Sequence, residues 1–230
     1  MGGCLTRRLG VSSGLSTPDA NTLFLTRFSA STPTEEVTGV SGSFAGNASA
    51  DTGNMQLVLD GTGDWMTWPS GNANAAMVSR YNVTTNWTWE CHTNLAAAQV
   101  GGLMSRGNAG AARWAIFCSG TGNVAFYADA FSTGTPIVNS QGSNLDGSEH
   151  HIAVVRDSGT YRMYFDGVQV DSRVTATGPS TSDTFGVFIG TDEASTTTRD
   201  VAGRIARVKM SNTARYPNGT TFTPPNRFSA

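Results

Sequence analysis

Three features of the sequence predict an all-β protein, an antiparallel two-sheet β-sandwich. Apolar residues recur at every second position in many short runs, and turn residues punctuate those runs roughly every 8 to 12 residues. No stretch of about ten residues carries the helical period. Composition points the same way. Only 14% of the 230 residues are charged, while 27 are Gly, so small polar side chains and turn-forming backbone carry the surface. A chain of this length buries roughly 70 to 75% of its unfolded surface, which suffices for one sizeable core.

Residues 1–20 lack periodicity and read as an extended N-terminal arm carrying Arg7, Arg8 and Leu9. The domain proper is expected over 21–212 and a Pro-rich tail over 213–230. Leu23 to Phe28 is the first credible strand, and Ser29 to Val37 reads as a loop around Pro33. Strands are then expected at Met55–Leu59, Trp65–Trp68, Trp87–Thr93, Val100–Arg106, Arg113–Ser119, Asn123–Asp129 and Pro136–Asn139. The turn Gly120-Thr121-Gly122-Asn123 joins two of them into a hairpin. The alanines of Asn94 to Gln99 favour one turn of helix, too short to stand alone.

The richest stretch is Asp146 to Ser172, which reads as three consecutive strands with both turns written out. Ile152 and Val154 alternate up to Arg156, and Asp157-Ser158-Gly159 turns the chain. Tyr161, Met163 and Phe165 share one face, and Asp166-Gly167 is a two-residue hairpin signal before the return strand Val168 to Asp171. Further strands follow at Thr184–Ile189 and Arg204–Met210.

Charge and hydropathy exclude several classes. A net charge of −2 gives no basic excess to displace counterions from a phosphate backbone, so no nucleic-acid partner is expected. No apolar run reaches the roughly 20 residues of a membrane span, so no membrane partner is expected either. The opening MGGCLTRRLGVSS lacks the apolar core of a secretory signal. Cys4, Cys91 and Cys118 match no metal-knuckle spacing, and the latter two, within strands, read as buried free thiols.

Glu90 is the one carboxylate placed mid-strand, between Trp89 and Cys91, and is the residue an enzyme would have to use; the other acids fall mostly in turns such as Asp60, Asp64, Asp146 and Asp166. His150 and His151 are adjacent on one strand and therefore face opposite ways, which forbids a shared metal ion. For glycan binding an exposed aromatic face beside a polar group is required. Trp87 and Trp89 share a face by period two and read as core. Trp65 and Trp114, near Gly-rich turns, are the candidate sugar platforms, with Asp64 as the nearby acid.

The run His150-His151-Ile152-Ala153-Val154-Val155-Arg156, a turn, and then Phe165-Asp166-Gly167 resembles the laminin-G-like and concanavalin A-like jelly-roll superfamily. The resemblance extends over most of the chain, through Leu57 to Trp68, Trp87 to His92, Leu103 to Gly107, Phe188 to Gly190 and Gly203 to Val208. One departure is Glu149, where that superfamily usually has Trp, so another aromatic is expected to fill that core position. The resemblance implies the jelly-roll sandwich and no cofactor other than calcium at the sandwich rim, for which Asp192, Glu193 and Asp200, with Asp64, supply the loop oxygens. It lacks the Glu-x-Asp-x-x-Glu strand of glucanases that share this fold, so no enzyme is expected.

The tail Ala214-Arg215-Tyr216 with Phe222-Thr223-Pro224-Pro225 resembles the closing segment of such domains in bacteriophage structural proteins. That implies a non-enzymatic virion protein, made in the host cytoplasm, with a capsid decoration role. Its assembly contacts would be Arg7, Arg8, Leu9, Phe222, Pro224 and Pro225, and its partners a capsid or tail protein and copies of itself. The alternative is a glycan- or receptor-binding module of a tail appendage or cell surface that takes host glycans.

Overall fold

The computed structural model describes residues 17–68, 86–96, 99–106, 114–128, 135–142, 144–176, 186–192 and 199–227. Within them the chain forms two antiparallel sheets packed as a β-sandwich. The first runs β13 (Val168–Val174), β12 (Thr160–Phe165), β11 (Glu149–Asp157), β6 (Trp87–Leu95), β15 (Ala202–Ser211), β4 (Gln56–Asp60) and β3 (Ser49–Asp51), and β1 (Thr22–Thr26) also pairs with β15. The second runs β10 (Val138–Asn139), β9 (Val124–Ala128), β8 (Trp114–Cys118), β7 (Gly101–Arg106), β14 (Val187–Ile189), β5 (Trp65–Trp68) and β2 (Ser43–Ala45). No helix among the described residues is long and apolar enough to cross a membrane.

Both turns of the three-strand block form as the sequence implies. Ser158 and Gly159 adopt φ of 49° and 86°, and Asp166 and Gly167 adopt 50° and 79°. Two successive positive φ values match the twist of the flanking strands, which is why Ser-Gly and Asp-Gly occupy these corners. Strands β2 and β3 are additions to the expected set. At three residues each, in a stretch rich in Gly, Ser and Asn, they are too short to show alternation. The helical turn expected at Asn94 to Gln99 does not begin there: Asn94 and Leu95 extend β6, because Leu95 is buried in the core and pairs with Gly203. Ladder pairing and burial outweigh the weak helical preference of the neighbouring alanines.

Aromatic rings join the two sheets. Trp87 stacks on Trp89 at 3.9 Å between centroids, and Trp89 crosses to the other sheet to stack on Trp114 at 4.1 Å. Phe126 sits against both Trp87 and Tyr161, at 5.5 and 5.9 Å, and Phe24 meets Trp68 edge-on at 5.0 Å. Cys91 and Cys118 are free and buried, and burial pushes the Cys91 thiol up to about 12, so it stays protonated and inert. Glu149 lies on the outward side of β11 with His151, whereas the core residues Ile152 and Val154 have the opposite parity. Its acidic side chain therefore leaves no gap in the core, and the replacement aromatic expected from the sequence is not needed.

The ring stack sets the cost of dismantling the core. Trp89→Ala should lower the unfolding free energy by about 3–5 kcal/mol. Urea unfolding followed by circular dichroism measures it, and a change below about 1 kcal/mol would show that the stack contributes little.

Candidate functional site

Strand β6 reads Trp-Thr-Trp-Glu-Cys-His-Thr-Asn-Leu, and its alternate residues Trp87, Trp89, Cys91 and Leu95 enter the core. Thr88, Glu90 and His92 face outward, where a two-layer sandwich would leave them in water. All three are buried. The segment that follows β15 folds back over this face and covers them.

Each turn of that tail is fastened to the sheet. The Thr88 hydroxyl donates to the Thr213 carbonyl at 2.9 Å and accepts from the Arg215 amide at 2.9 Å. The Tyr164 hydroxyl donates to the Tyr216 carbonyl at 2.7 Å, and the Phe222 amide donates to the Gly167 carbonyl at 3.0 Å. A side chain at Gly167 is excluded twice, by its positive φ and because a Cβ there would lie 1.9 Å from the Phe222 carbonyl oxygen. The His92 Nε2 lies 2.9 Å from the Pro225 carbonyl, and Arg227 donates to Glu149 at 2.6 Å. Tyr216 and Phe222 stack at 3.6 Å with their rings almost parallel, and pack over Ala153, Val155 and Tyr164.

At the centre of this covered face sits Glu90. Its Oε2 accepts from the Tyr216 hydroxyl at 2.6 Å and from His151 Nε2 at 3.2 Å, while Arg207 Nη1 stands 3.1 Å from Oε1. A β-bulge aims that guanidinium. Between Ala206, opposite His92, and Lys209, opposite Glu90, β15 carries one residue too many, and Arg207 takes φ 41° there. Burial alone would raise the Glu90 carboxyl, but the His151 hydrogen bond and the Arg207 charge outweigh it and hold the group well below the usual carboxylate range. The same burial, reinforced by the Glu90 charge, pushes the Tyr216 hydroxyl up. His92 is pulled down to about 4 by burial and by His151 and Arg207 beside it. Glu149 lies 3.5 Å from its Nδ1 but spends its charge on Arg227.

The sequence-derived candidates are scattered. Trp114 is 1% exposed and stacked in the core, so the expectation that it offers an open face is corrected: in Trp-Ala-Ile-Phe-Cys it shares the inward parity of Ile116 and Cys118. Trp65 is half-buried at the start of β5, on the outward side of the second sheet. Asp64 is buried and clips a turn, accepting from the amides of Asn47 at 2.5 Å and Asp60 at 2.8 Å. Asp200 accepts from the Gly63 amide at 2.9 Å, and burial raises its carboxyl; Asp192 is paired with Arg199 at 2.8 Å. Asp64 gives both carboxylate oxygens to protein donors, whereas Asp200 gives only one, its Oδ1 having no hydrogen-bond partner among the described residues, where no three groups of ligand type converge. Glu193, Arg7, Arg8 and Leu9 lie outside the described residues. Phe222, Pro224 and Pro225, expected as assembly contacts, lie along the chain's own first sheet, with Phe222 stacked on Tyr216 and Pro225 bonded to His92.

Two aromatics escaped the sequence reading. Phe117 and Tyr127 are half-buried on the outward side of the second sheet, edge to face at 6.3 Å. The alternation that put Trp114 and Phe126 in the core would have assigned both. Tyr216, Arg207 and Lys209 gave no such signal, because the bulge and the tail's return have none.

A family profile described as the concanavalin A-like lectin/glucanases superfamily, of laminin G type, matches residues 60–218. A Trypanosoma rangeli sialidase in complex with sialic acid is similar in structure, at 15% identity and a TM-score of 0.65, over 86% of this chain and 32% of that one. The chain thus spans about a third of the sialidase's length. Domain 4 of AbnA, an extracellular arabinanase from Geobacillus stearothermophilus in complex with arabinotriose, is matched over 86% of this chain and 95% of that one, at 12% identity and a TM-score of 0.62. The binding domain of Paraclostridial Mosquitocidal Protein 1 matches at 12% identity and a TM-score of 0.59, over 84% and 49%. At these identities the likeness concerns the fold. No curated protein sequence matches the chain.

Two outcomes are expected at the covered face. Tyr216→Phe keeps the ring stack but removes a donor to a buried carboxylate, and should cost about 1.5–3 kcal/mol in urea unfolding; no change would mean that the bond is not formed. His92 resists protonation when folded, so the unfolded chain takes up its proton first as pH falls below its ordinary 6.5. Its contribution to stability should decline between about pH 6.5 and 5, by an amount on the order of 1 to 2 kcal/mol. His150, raised by Asp166 and Asp146 against the effect of burial, acts in the opposite sense: it stabilises below its ordinary value, and that contribution fades as pH rises through its folded value. Comparing wild type with His92→Gln isolates the first effect, and identical slopes would contradict it.

Proposed function

We propose that this chain, which belongs to the concanavalin A-like lectin/glucanases superfamily, is a non-enzymatic binding module that takes glycan on the outward side of its second sheet. The observation that carries this reading is the unequal treatment of the two outer faces. The first is closed by the tail, and its central carboxylate, Glu90, is ionised and committed to Tyr216, His151 and Arg207. A general acid needs a proton to give, and a carboxylate held ionised by Arg207, His151 and Tyr216 has none. The second face carries the half-buried rings of Trp65, Phe117 and Tyr127, the kind of surface on which the apolar side of a sugar stacks. The arabinotriose complex of the AbnA domain supports the class, since that fold match covers nearly the whole of a domain solved with a saccharide.

The second reading places the module on a bacteriophage particle as a capsid decoration protein. It is favoured by the closing segment, whose Ala214-Arg215-Tyr216 and Phe222-Thr223-Pro224-Pro225 resemble those of bacteriophage structural proteins. Most of that motif works inside the domain: Arg215 and Tyr216 reach Asp19 and Glu90, Phe222 stacks on Tyr216, and Pro225 meets His92. Attachment to a capsid would therefore fall mainly to the N-terminal arm with Arg7, Arg8 and Leu9. In either setting the module works by surface contact and takes its strength from repeated copies.

A glycan array separates the readings. Wild type should bind a subset of saccharides, and Tyr127→Ala or Trp65→Ala should each weaken that binding by about tenfold, near the 1.5 kcal/mol an aromatic contact contributes. A wild-type array blank across plant, bacterial and animal glycans would remove the glycan reading.

A further inference from the structure

Lys209 is the only lysine of the chain, and it is 2% exposed. It lies on the outward side of β15, between the core residues Val208 and Met210, with Glu90 opposite it on β6 and Leu25 on β1. Its ammonium group has no hydrogen-bond or ion-pair partner among the described residues, while every charged neighbour does. Glu90 is held by His151, Tyr216 and Arg207. Arg215, reaching in from the tail, grips Asp19 with both nitrogens at 2.9 and 2.8 Å. Glu90 and Asp19 act on the ammonium only through their charge, so it offers a cation with no counter-ion at bonding distance.

A cavity of about 350 Å³ adjoins it, walled by Lys209, Arg207 and Arg215, by Glu90, and by Tyr216 and Pro225 of the tail. We propose that this cavity is a binding site for a small monocarboxylate of hexuronate size, its acid group paired with the Lys209 ammonium. The charge count selects the class. Three cations face one carboxylate on the wall, Asp19 answers Arg215 from outside, and one positive charge remains. A single negative charge closes the balance, whereas a doubly charged phosphate overshoots it. The volume lies at the lower end of ligand-site sizes, room for one sugar ring. Burial beside Arg215 and Arg207 pulls the Lys209 amine down to about 8, as befits a cation awaiting a counter-ion. The site is on the opposite sheet from Trp65 and Tyr127, so it stands or falls separately from the glycan face.

Because the lysine is unique, protein labelled with 13C at the lysine ε-carbon gives one side-chain signal from the intact chain. D-glucuronate should move that signal saturably and raise the midpoint of its titration. Glucose, which lacks the acid, should leave it in place, and acetate and sulfate should bind about tenfold more weakly, as fits loss of the ring contacts or a mismatched charge. Lys209→Met should weaken glucuronate binding by about tenfold or more, and Lys209→Arg should retain most of it. A wild-type signal unmoved by tens of millimolar glucuronate overturns the proposal. So does an equal response to glucose, or binding of acetate or sulfate as strong as that of glucuronate.

Discussion

The ionised Glu90 carboxylate, embedded halfway along a central strand, is the constraint on which the rest of the arrangement depends. A charge at that position is tolerable only with strong partners, because burial takes away the water that would otherwise solvate it. Arg207 reaches it because β15 bulges, His151 because β11 lies next to β6 in register, and Tyr216 because the tail returns across the sheet. Remove the tail and the carboxylate loses a hydroxyl donor, His92 loses its carbonyl, and Ala153, Val155 and Tyr164 lose their cover. The tail is accordingly a third layer of the domain over part of one face.

That third layer divides the molecule's labour. One sheet is packed against the core on one side and partly covered by the tail on the other, where its polar residues fasten the tail. The other keeps half-buried aromatic rings on its outward side. The glycan surface proposed for that side would need a rigid support, which the stacked Trp87, Trp89 and Trp114 behind the sheet supply. The price of this design is a polar cluster that must be satisfied as a unit, since a half-satisfied network is worse than an apolar one.

Much of the fold was legible because period-two alternation and Asp-Gly or Ser-Gly turns are local signals. The hairpin turns at Ser158-Gly159 and Asp166-Gly167 formed as read, and the core roles of Trp87 and Trp89 followed from their spacing. Proximity to a glycine-rich stretch suggests an open face for Trp114, but the parity of its own strand turns the ring inward. The Glu90 cluster was invisible for a different reason. Its members are separated by up to 126 residues, and the bulge at Arg207 and the tail's path are properties of the assembled sheet. Its mid-strand place beside Trp89 marks Glu90 in the sequence only as the acid an enzyme would have to use, and carries no sign of the bond to Tyr216 that ties down the tail.

Native-state hydrogen exchange on the tail amides tests this account most directly. The Arg215 amide donates to the Thr88 hydroxyl and the Phe222 amide to the Gly167 carbonyl. If the tail is a layer of the domain, both should be protected to nearly the same free energy as the core amides of β6 and β11. Exchange of Arg215 and Phe222 at the rate of an unstructured peptide, with β6 and β11 still protected, would contradict it.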